Sequence, residues 1–292
     1  MIKIAIASGK GGTGKTFVAT NIFYTLLKNN YRAMLVDCDA EAPNSVAFFE
    51  TKLVKETEVT QLVPVINTDS CTFCGKCHEY CNYNAIFILP PIKIIKVIEE
   101  LCHGCGACSV ACKTGAISEK PVSLGKVALY STDRQPSILE ARMNLGVMSP
   151  VTVIKEAIRQ IDNKIDFAIL DAPPGTSCPF IQTVASADYV ILVTEPTPFG
   201  LSDLKQSVET LRTINKPCGV IINRAGLGNN DVSEYLMQNR IPLLLEIPFN
   251  KEIAGLYSKG KIVSASDSSF SKQVLSVIEN VIEKYGNSNI ER

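Results

Sequence analysis

The chain has no surplus of charge of either sign. Lys and Arg together number 29, as do Asp and Glu, so the formal net charge is zero. No global field draws such a chain to nucleic acid or to an anionic membrane. No apolar run is long enough to cross a bilayer. A basic amphipathic tail is missing as well. Residues 269 to 284 carry Phe270, Val274, Leu275, Val277, Ile278, Val281 and Ile282 but few basic side chains, so they are expected to dock on a core rather than on a membrane. No signal peptide is visible, because Met1-Ile2-Lys3 leads straight into an apolar strand. The expectation is a cytoplasmic protein with neither a nucleic-acid nor a membrane partner.

What the chain does have is cysteine. Eight of its 11 cysteines fall between Cys71 and Cys112. Outside the cell such density suggests disulfides; in a chain with no visible signal it suggests metal. The 292-residue chain, 46% hydrophobic, is long enough for a large core.

The stretch Ser8-Gly9-Lys10-Gly11-Gly12-Thr13-Gly14-Lys15-Thr16 follows the apolar run 2 to 7 and precedes a helical pattern at 17 to 29. It fits the P-loop spacing G-x-x-x-x-G-K-[ST]. Gly11, Gly12 and Gly14 let backbone N–H groups turn toward phosphate oxygens without a Cβ in the way. The helix that follows presents its positive end to the same anion. Lys15 is placed for the β/γ-phosphates and the Thr16 hydroxyl for Mg²⁺. Further acidic residues stand at the ends of apolar runs: Asp37 and Asp39 after 33 to 36, and Asp171 after 167 to 170. Ligands of open α/β sheets bind at such strand ends. The Asn-Lys-x-Asp pattern that selects guanine is absent at 223 to 226, where Gly226 fills the last place, so ATP is favoured over GTP.

With Lys10 inside the loop, Lys-Gly-Gly-Thr-Gly-Lys-Thr resembles the deviant Walker A of the MinD/ParA/nitrogenase iron protein ATPases. The resemblance implies a nucleotide-dependent homodimer, or a heterodimer with a similar ATPase, closed around ATP. Lys10 would then act on the partner's phosphates; a solvated loop lysine is the plain alternative. By the same resemblance Asp39 would position the attacking water and Asp37 would support the Mg²⁺ shell. Asn44 matches the pattern after Asp39. Asp171-Ala172-Pro173-Pro174-Gly175 resembles switch II, with Asp171 at Mg²⁺. Lys10, Lys15, Asp39 and Asp171 are thus the catalytic set, and Thr16, Asp37 and Asp171 the Mg²⁺ set. Asn223, Arg224 and Pro248 fall where the group contacts adenine, although each could simply be a strand end.

Cys71-x2-Cys74-x2-Cys77-x3-Cys81 is followed by Cys102-x2-Cys105-x2-Cys108-x3-Cys112. This is the bacterial ferredoxin spacing, in which three thiolates wrap one [4Fe–4S] cube and the fourth cysteine of each run ligates the other. The pattern gives Cys71, Cys74, Cys77 and Cys112 to one cluster and Cys102, Cys105, Cys108 and Cys81 to the second. Zinc knuckles are the competing metal reading. The segment resembles a two-cluster ferredoxin, with Asn82 and Lys113 where that family usually has proline. His78 and His103 are expected to have loop or hydrogen-bonding roles. Cys38 and Cys178 are expected to be buried thiols. Cys178 stands at an offset similar to a subunit-bridging cluster cysteine of the nitrogenase iron protein, but 140 to 150 lacks that protein's second cysteine.

Strands alternating with helices argue for an α/β P-loop NTPase fold, a mostly parallel, doubly wound sheet. Into it a small α+β ferredoxin-like domain is inserted. The expected division is 1–59 and 121–292 for the ATPase and 60–120 for the insert. The whole chain resembles the iron–sulfur-containing MinD superfamily ATPases, whose main domain is grouped with that of cobyrinic acid a,c-diamide synthase. Three roles follow from the resemblance. One is an ATPase coupling nucleotide state to electron transfer, with a redox partner protein. The second is a cluster assembly factor or carrier similar to the Mrp/ApbC-type ATPases. The third is a regulatory ATPase with redox-sensing clusters. An amidating synthetase is weaker, since no glutaminase domain is apparent.

Overall fold

The alternation resolves, in a computed structural model, into a doubly wound α/β fold. The structure describes residues 1–132 and 136–290, without the side chains of 136 and 284–290. β1 (Ile2–Ala7) feeds α1 (Lys15–Lys28), which leads to β2 (Ala33–Asp37). β3 (Lys52–Ile66) then runs out of the domain into a small module of α2 (Lys76–Glu79), β4 (Ile86–Leu89), β5 (Ile94–Val97) and α3 (Ala107–Ala111). β6 (Ile117–Ser131) returns and β7 (Pro136–Met143) pairs beside it. The rest alternates: α4 (Val151–Arg159), β8 (Phe167–Asp171), α5 (Cys178–Ala185), β9 (Tyr189–Thr194), α6 (Pro198–Thr213), β10 (Cys218–Ala225), α7 (Asp231–Gln238) and β11 (Leu243–Pro248). Three helices close the chain: α8 (Lys251–Ser258), α9 (Val263–Ser266) and α10 (Ser268–Ile290).

One nine-stranded sheet has the order β11-β10-β9-β1-β8-β2-β7-β6-β3. From β11 to β7 every pairing is parallel; β6 and β3 are antiparallel additions at one edge. Side chains alternate between the two faces, as a strand's period of two requires. Ile4 and Ile6 of β1 join Ile22, Leu26, Val274 and Ile278 of α1 and α10 in one core. Ala5 and Ala7 face the other way, toward Ile154, Phe180 and Leu204 of α4, α5 and α6. The last helix thus docks on the core, and among the described residues no helix is long and apolar enough to cross a membrane.

Register explains where the module stands. β7 runs parallel to β2, with Glu140 opposite Asp37, so Met143 lies past the carboxyl end of β2. Gly125 of β6 faces Met143. A Cβ at Gly125 would collide with the Arg142 carbonyl, so only glycine lets the strands approach there. Beyond that point, among the described residues, β3 is the one strand paired with β6, through to Ile66 opposite Ile117. The two strands therefore form an arm that rises from the carboxyl edge of the sheet and carries the module at its tip. The boundaries at 60 and 120 fall inside β3 and β6, both continuous with the main sheet. Between the two cysteine runs, β5 stands between single 3-10 turns.

Candidate functional site

Ser8 to Gly14 form the loop between β1 and α1, at the same edge of the sheet. Gly14 caps α1 in the left-handed region, at φ 98°, with no side chain bonded to the helix end and no acidic residue in the first turn. The first N–H groups of α1 are left for an anion. Lys15 is buried beside Asp171 and Asp39, its Nζ 3.4 Å from the Lys10 carbonyl. Burial lowers its pKa, and the two carboxylates act against that.

The ends of β2 and β8 bring the acidic residues together, since Asp37 pairs with Asp171 across the strands. Both are sealed from water. Burial, and for Asp37 the neighbouring Asp171, pushes their pKa values up. Asp37 accepts hydrogen bonds from the backbone amides of Asn44 and Ser45 at 2.9 and 2.8 Å. Asp171 is bonded by the Thr16 hydroxyl and by Ser45 Oγ at 3.2 Å, while its Oδ1 is buried with no partner. An unpartnered carboxylate oxygen beside a P-loop threonine hydroxyl fits a divalent cation, and two buried carboxylates gain most from one. Ser45 was not singled out from the sequence; its position next to Asn44 was the available signal. Asp39 is half-buried near Lys15, and its pKa is raised mainly by that burial.

The other candidates meet on the opposite side of the loop. Asn223 donates through Nδ2 to the Thr13 carbonyl at 2.8 Å, so it braces the P-loop. Arg224, at φ 55°, donates to Glu195 Oε1 at 2.6 Å, and the same carboxylate holds Lys10 at 3.5 Å. Glu195, missed in the sequence, follows β9 at another carboxyl strand end. Pro248 stands opposite Ala225 on the adjoining strand, exposed. In the switch II stretch the Gly175 amide donates to the Ser8 carbonyl at 3.1 Å. Cys38 is buried as expected; Cys178 is not. It is exposed, because it opens α5 on the outside of the first turn rather than facing the core.

In the module, α2 and α3 pack together and bury Cys77 and Cys108. Cys81, Cys102, Cys105 and Cys108 line one small pocket. The charges of Cys105 and Cys81 both act on Cys102, and that of Cys112 reaches Cys74 across the other half. These neighbours match the crossed ligand sets. Backbone amides already point at sulfur: Phe73 to Cys71 and Gly104 to Cys102 at 3.4 Å, Ala85 to Cys81 at 3.3 Å. Among the described residues no three His, Cys, Asp or Glu side chains converge as they would on a single ion. Thiols set around a pocket, with amides aimed at them, fit a four-iron cube better than a lone zinc. Neither histidine displaces a cysteine. His78 bonds the Ile86 carbonyl through Nδ1 at 2.6 Å, and His103 stacks on Tyr83.

A P-loop between the first strand and helix, acidic residues at the ends of β2 and β8, and a doubly wound sheet define a MinD-like P-loop ATPase fold. The chain belongs to the CobQ/CobB/MinD/ParA nucleotide binding domain family, whose model matches residues 4–263. It is 31% identical over 266 residues to uncharacterized protein MJ0579 of Methanocaldococcus jannaschii, covering 89% of this chain and 91% of that one. It is 26% identical over 302 residues to a protein of Aquifex aeolicus named iron-sulfur cluster carrier protein, covering 96% of this chain and 68% of that one. Among solved structures, the septum site-determining protein MinD of Pyrococcus horikoshii, complexed with Mg-ADP, matches with a TM-score of 0.60 at 20% identity. That match covers 96% of this chain and 95% of the other.

Proposed function

We propose that this protein binds and hydrolyses ATP and couples the nucleotide state of a dimer to electron transfer through two [4Fe–4S] clusters. The observation that carries the reading is the root of the arm. The Ala40 carbonyl, next to Asp39, accepts the Met143 amide at 3.0 Å. The adjacent Asn144 bonds the arm three times, its amide to the Leu124 carbonyl at 2.9 Å and its side chain to Ser123 Oγ at 3.1 Å and to the Ser123 carbonyl at 3.4 Å. A loop that senses phosphate and the arm that carries the cysteines thus share one two-residue anchor.

With MgATP bound, Lys15 would bind the phosphates, and Thr16 and Asp171 would hold the cation with Asp37 behind them. Asp39 would orient water. Gly175 would leave the Ser8 carbonyl for the γ-phosphate, and Lys10 would leave Glu195 to reach a partner's site. Each movement tugs on loops at the edge from which the arm rises. The eight cysteines would hold clusters that supply one-electron chemistry to a redox partner protein.

The name of the Aquifex relative favours a second reading, an ATPase that carries clusters to other proteins. Eight cysteines in complete ferredoxin spacing argue for retention instead. The deciding measurement is the midpoint potentials of the anaerobically reconstituted protein with and without MgATP, in wild type and Lys15→Ala. A shift with MgATP that vanishes in the variant supports coupling. Intact clusters with no shift, together with MgATP-stimulated transfer of iron and sulfide to an apo-ferredoxin, would replace this reading by the carrier.

A further inference from the structure

The two cysteine runs superimpose by sequence: Cys71 corresponds to Cys102 and Cys81 to Cys112. The crossed ligand sets then place equivalent residues beside each set. Next to Cys71, Cys74, Cys77 and Cys112 stand Thr72 and Thr114. In the matching places beside Cys102, Cys105, Cys108 and Cys81 stand His103 and Tyr83.

These pairs do different things. The Thr114 hydroxyl lies 3.5 Å from Cys112 Sγ, and the Thr72 hydroxyl bonds Cys74. A cluster thiolate has no proton, so with the cluster in place both hydroxyls can only donate. Tyr83 and His103 donate nothing to sulfur that the structure records. Their rings stack on each other, centroids 3.8 Å apart and 16° from parallel, and both form part of the wall of the second pocket. Glu119 lines that pocket too. Ser109 sits beside Cys108, but its single proton is drawn to Glu119 Oε1 at 2.9 Å.

Hydrogen bonds to sulfur, net charge and solvent access are the levers a protein has on such a potential. A hydroxyl donated to thiolate draws off negative charge and favours an added electron. A stacked aromatic cover excludes water, and a carboxylate adds negative charge; both disfavour that electron. We propose that Thr72 and Thr114 on one side, and Tyr83, His103 and Glu119 on the other, set the two cluster positions to different potentials. The higher belongs to the set of Cys71, Cys74, Cys77 and Cys112. The inference rests on the two-cluster reading above. It gives the module a direction: electrons pass from the aromatic-covered side to the hydroxyl-bonded side, without a proton.

The test is a potentiometric titration of the full chain, reconstituted anaerobically and followed by electron paramagnetic resonance, with iron and sulfide analysis of each sample. Two one-electron steps are expected, at least tenfold apart in reduced-to-oxidised ratio at a given potential, which is about 59 mV. Thr72→Val with Thr114→Val should lower the upper step and leave the lower one. Thr72→Ser with Thr114→Ser should restore it. Tyr83→Thr should raise the lower step alone, and it is read independently of the threonine variants. Coincident steps in wild type, or threonine variants that move the lower step or neither, would overturn the assignment. Fewer than two clusters by analysis would overturn the functional reading, and this inference with it.

Discussion

In the main sheet, Ile4, Ile169 and Ile191 have no exposure at all, and helices cover both faces. In the module the buried cluster is Cys77, Ile86 and Cys108, with Ile66, Ile95 and Ile117 partly buried around it. The hairpin of β4 and β5 leaves Phe87, Leu89, Ile92 and Ile94 in water. The sheet is held by apolar burial. The module has too little of that to offset the entropy of ordering its loops, and two of the three side chains in its buried cluster are thiols. Small domains of this kind rely on covalent or metal staples. The ATPase half is thus expected to fold by itself, and the module only around its clusters.

The largest effect should come from removing metal. Anaerobic chelation is expected to abolish amide-exchange protection across residues 67–116. Protection in β1, β8 and β9 should stay near its original level. A module that keeps its protection after iron is gone would break the comparison, since it would mean that side-chain packing suffices there.

A smaller effect sharpens the other side. Phe180, fully buried between α5 and the sheet, is expected to cost about 3–5 kcal/mol on Phe180→Ala, read as a shift in the denaturation midpoint of the ATPase domain. Ile86→Ala in the iron-loaded protein should leave that transition where it was, because Ile86 packs in the cluster at the arm's tip rather than in either core of the sheet. Coupled transitions would show the two regions to be one cooperative unit.

The same contrast explains what could be read from the chain. The P-loop and the cysteine runs are local patterns, so Lys15, Thr16 and the eight thiols could be named in advance, and the α/β fold followed from the alternation. Ser45 and Glu195 could not. Ser45 matters because β2 and β8 pair and bring Asp171 to it; Glu195 matters because β9 and β10 end side by side, next to the P-loop. Both facts arise only when distant segments meet. The direction of the arm depends on one register, Gly125 opposite Met143, which no periodicity reveals. The continuity of β3 and β6 through the ends of the insert is not visible either, because β3 is mostly exposed along its first half and reads as neither core strand nor loop. Residue type alone points to a buried Cys178, whereas its place in the first turn of α5 decides its exposure.

The smallest expected effect concerns the contact between the two regions. Asn144 follows β7 and bonds Ser123 at the base of the arm through its side chain, while its backbone amide holds Leu124. Asn144→Ala removes the side-chain bonds and keeps the backbone one. An exposed hydrogen bond of this kind contributes at most about 0.5–1.5 kcal/mol, too little to unfold either region. ATP affinity and iron content should therefore stay at wild-type values. What should fall is the difference in amide exchange at 117–124 between nucleotide-free and MgATP-bound protein, because the arm would follow the Ala40 loop less closely. An unchanged difference would place the link in the backbone pairing of Met143 with Gly125 and Ala40. In that case the coupling would belong to the sheet itself rather than to this side chain.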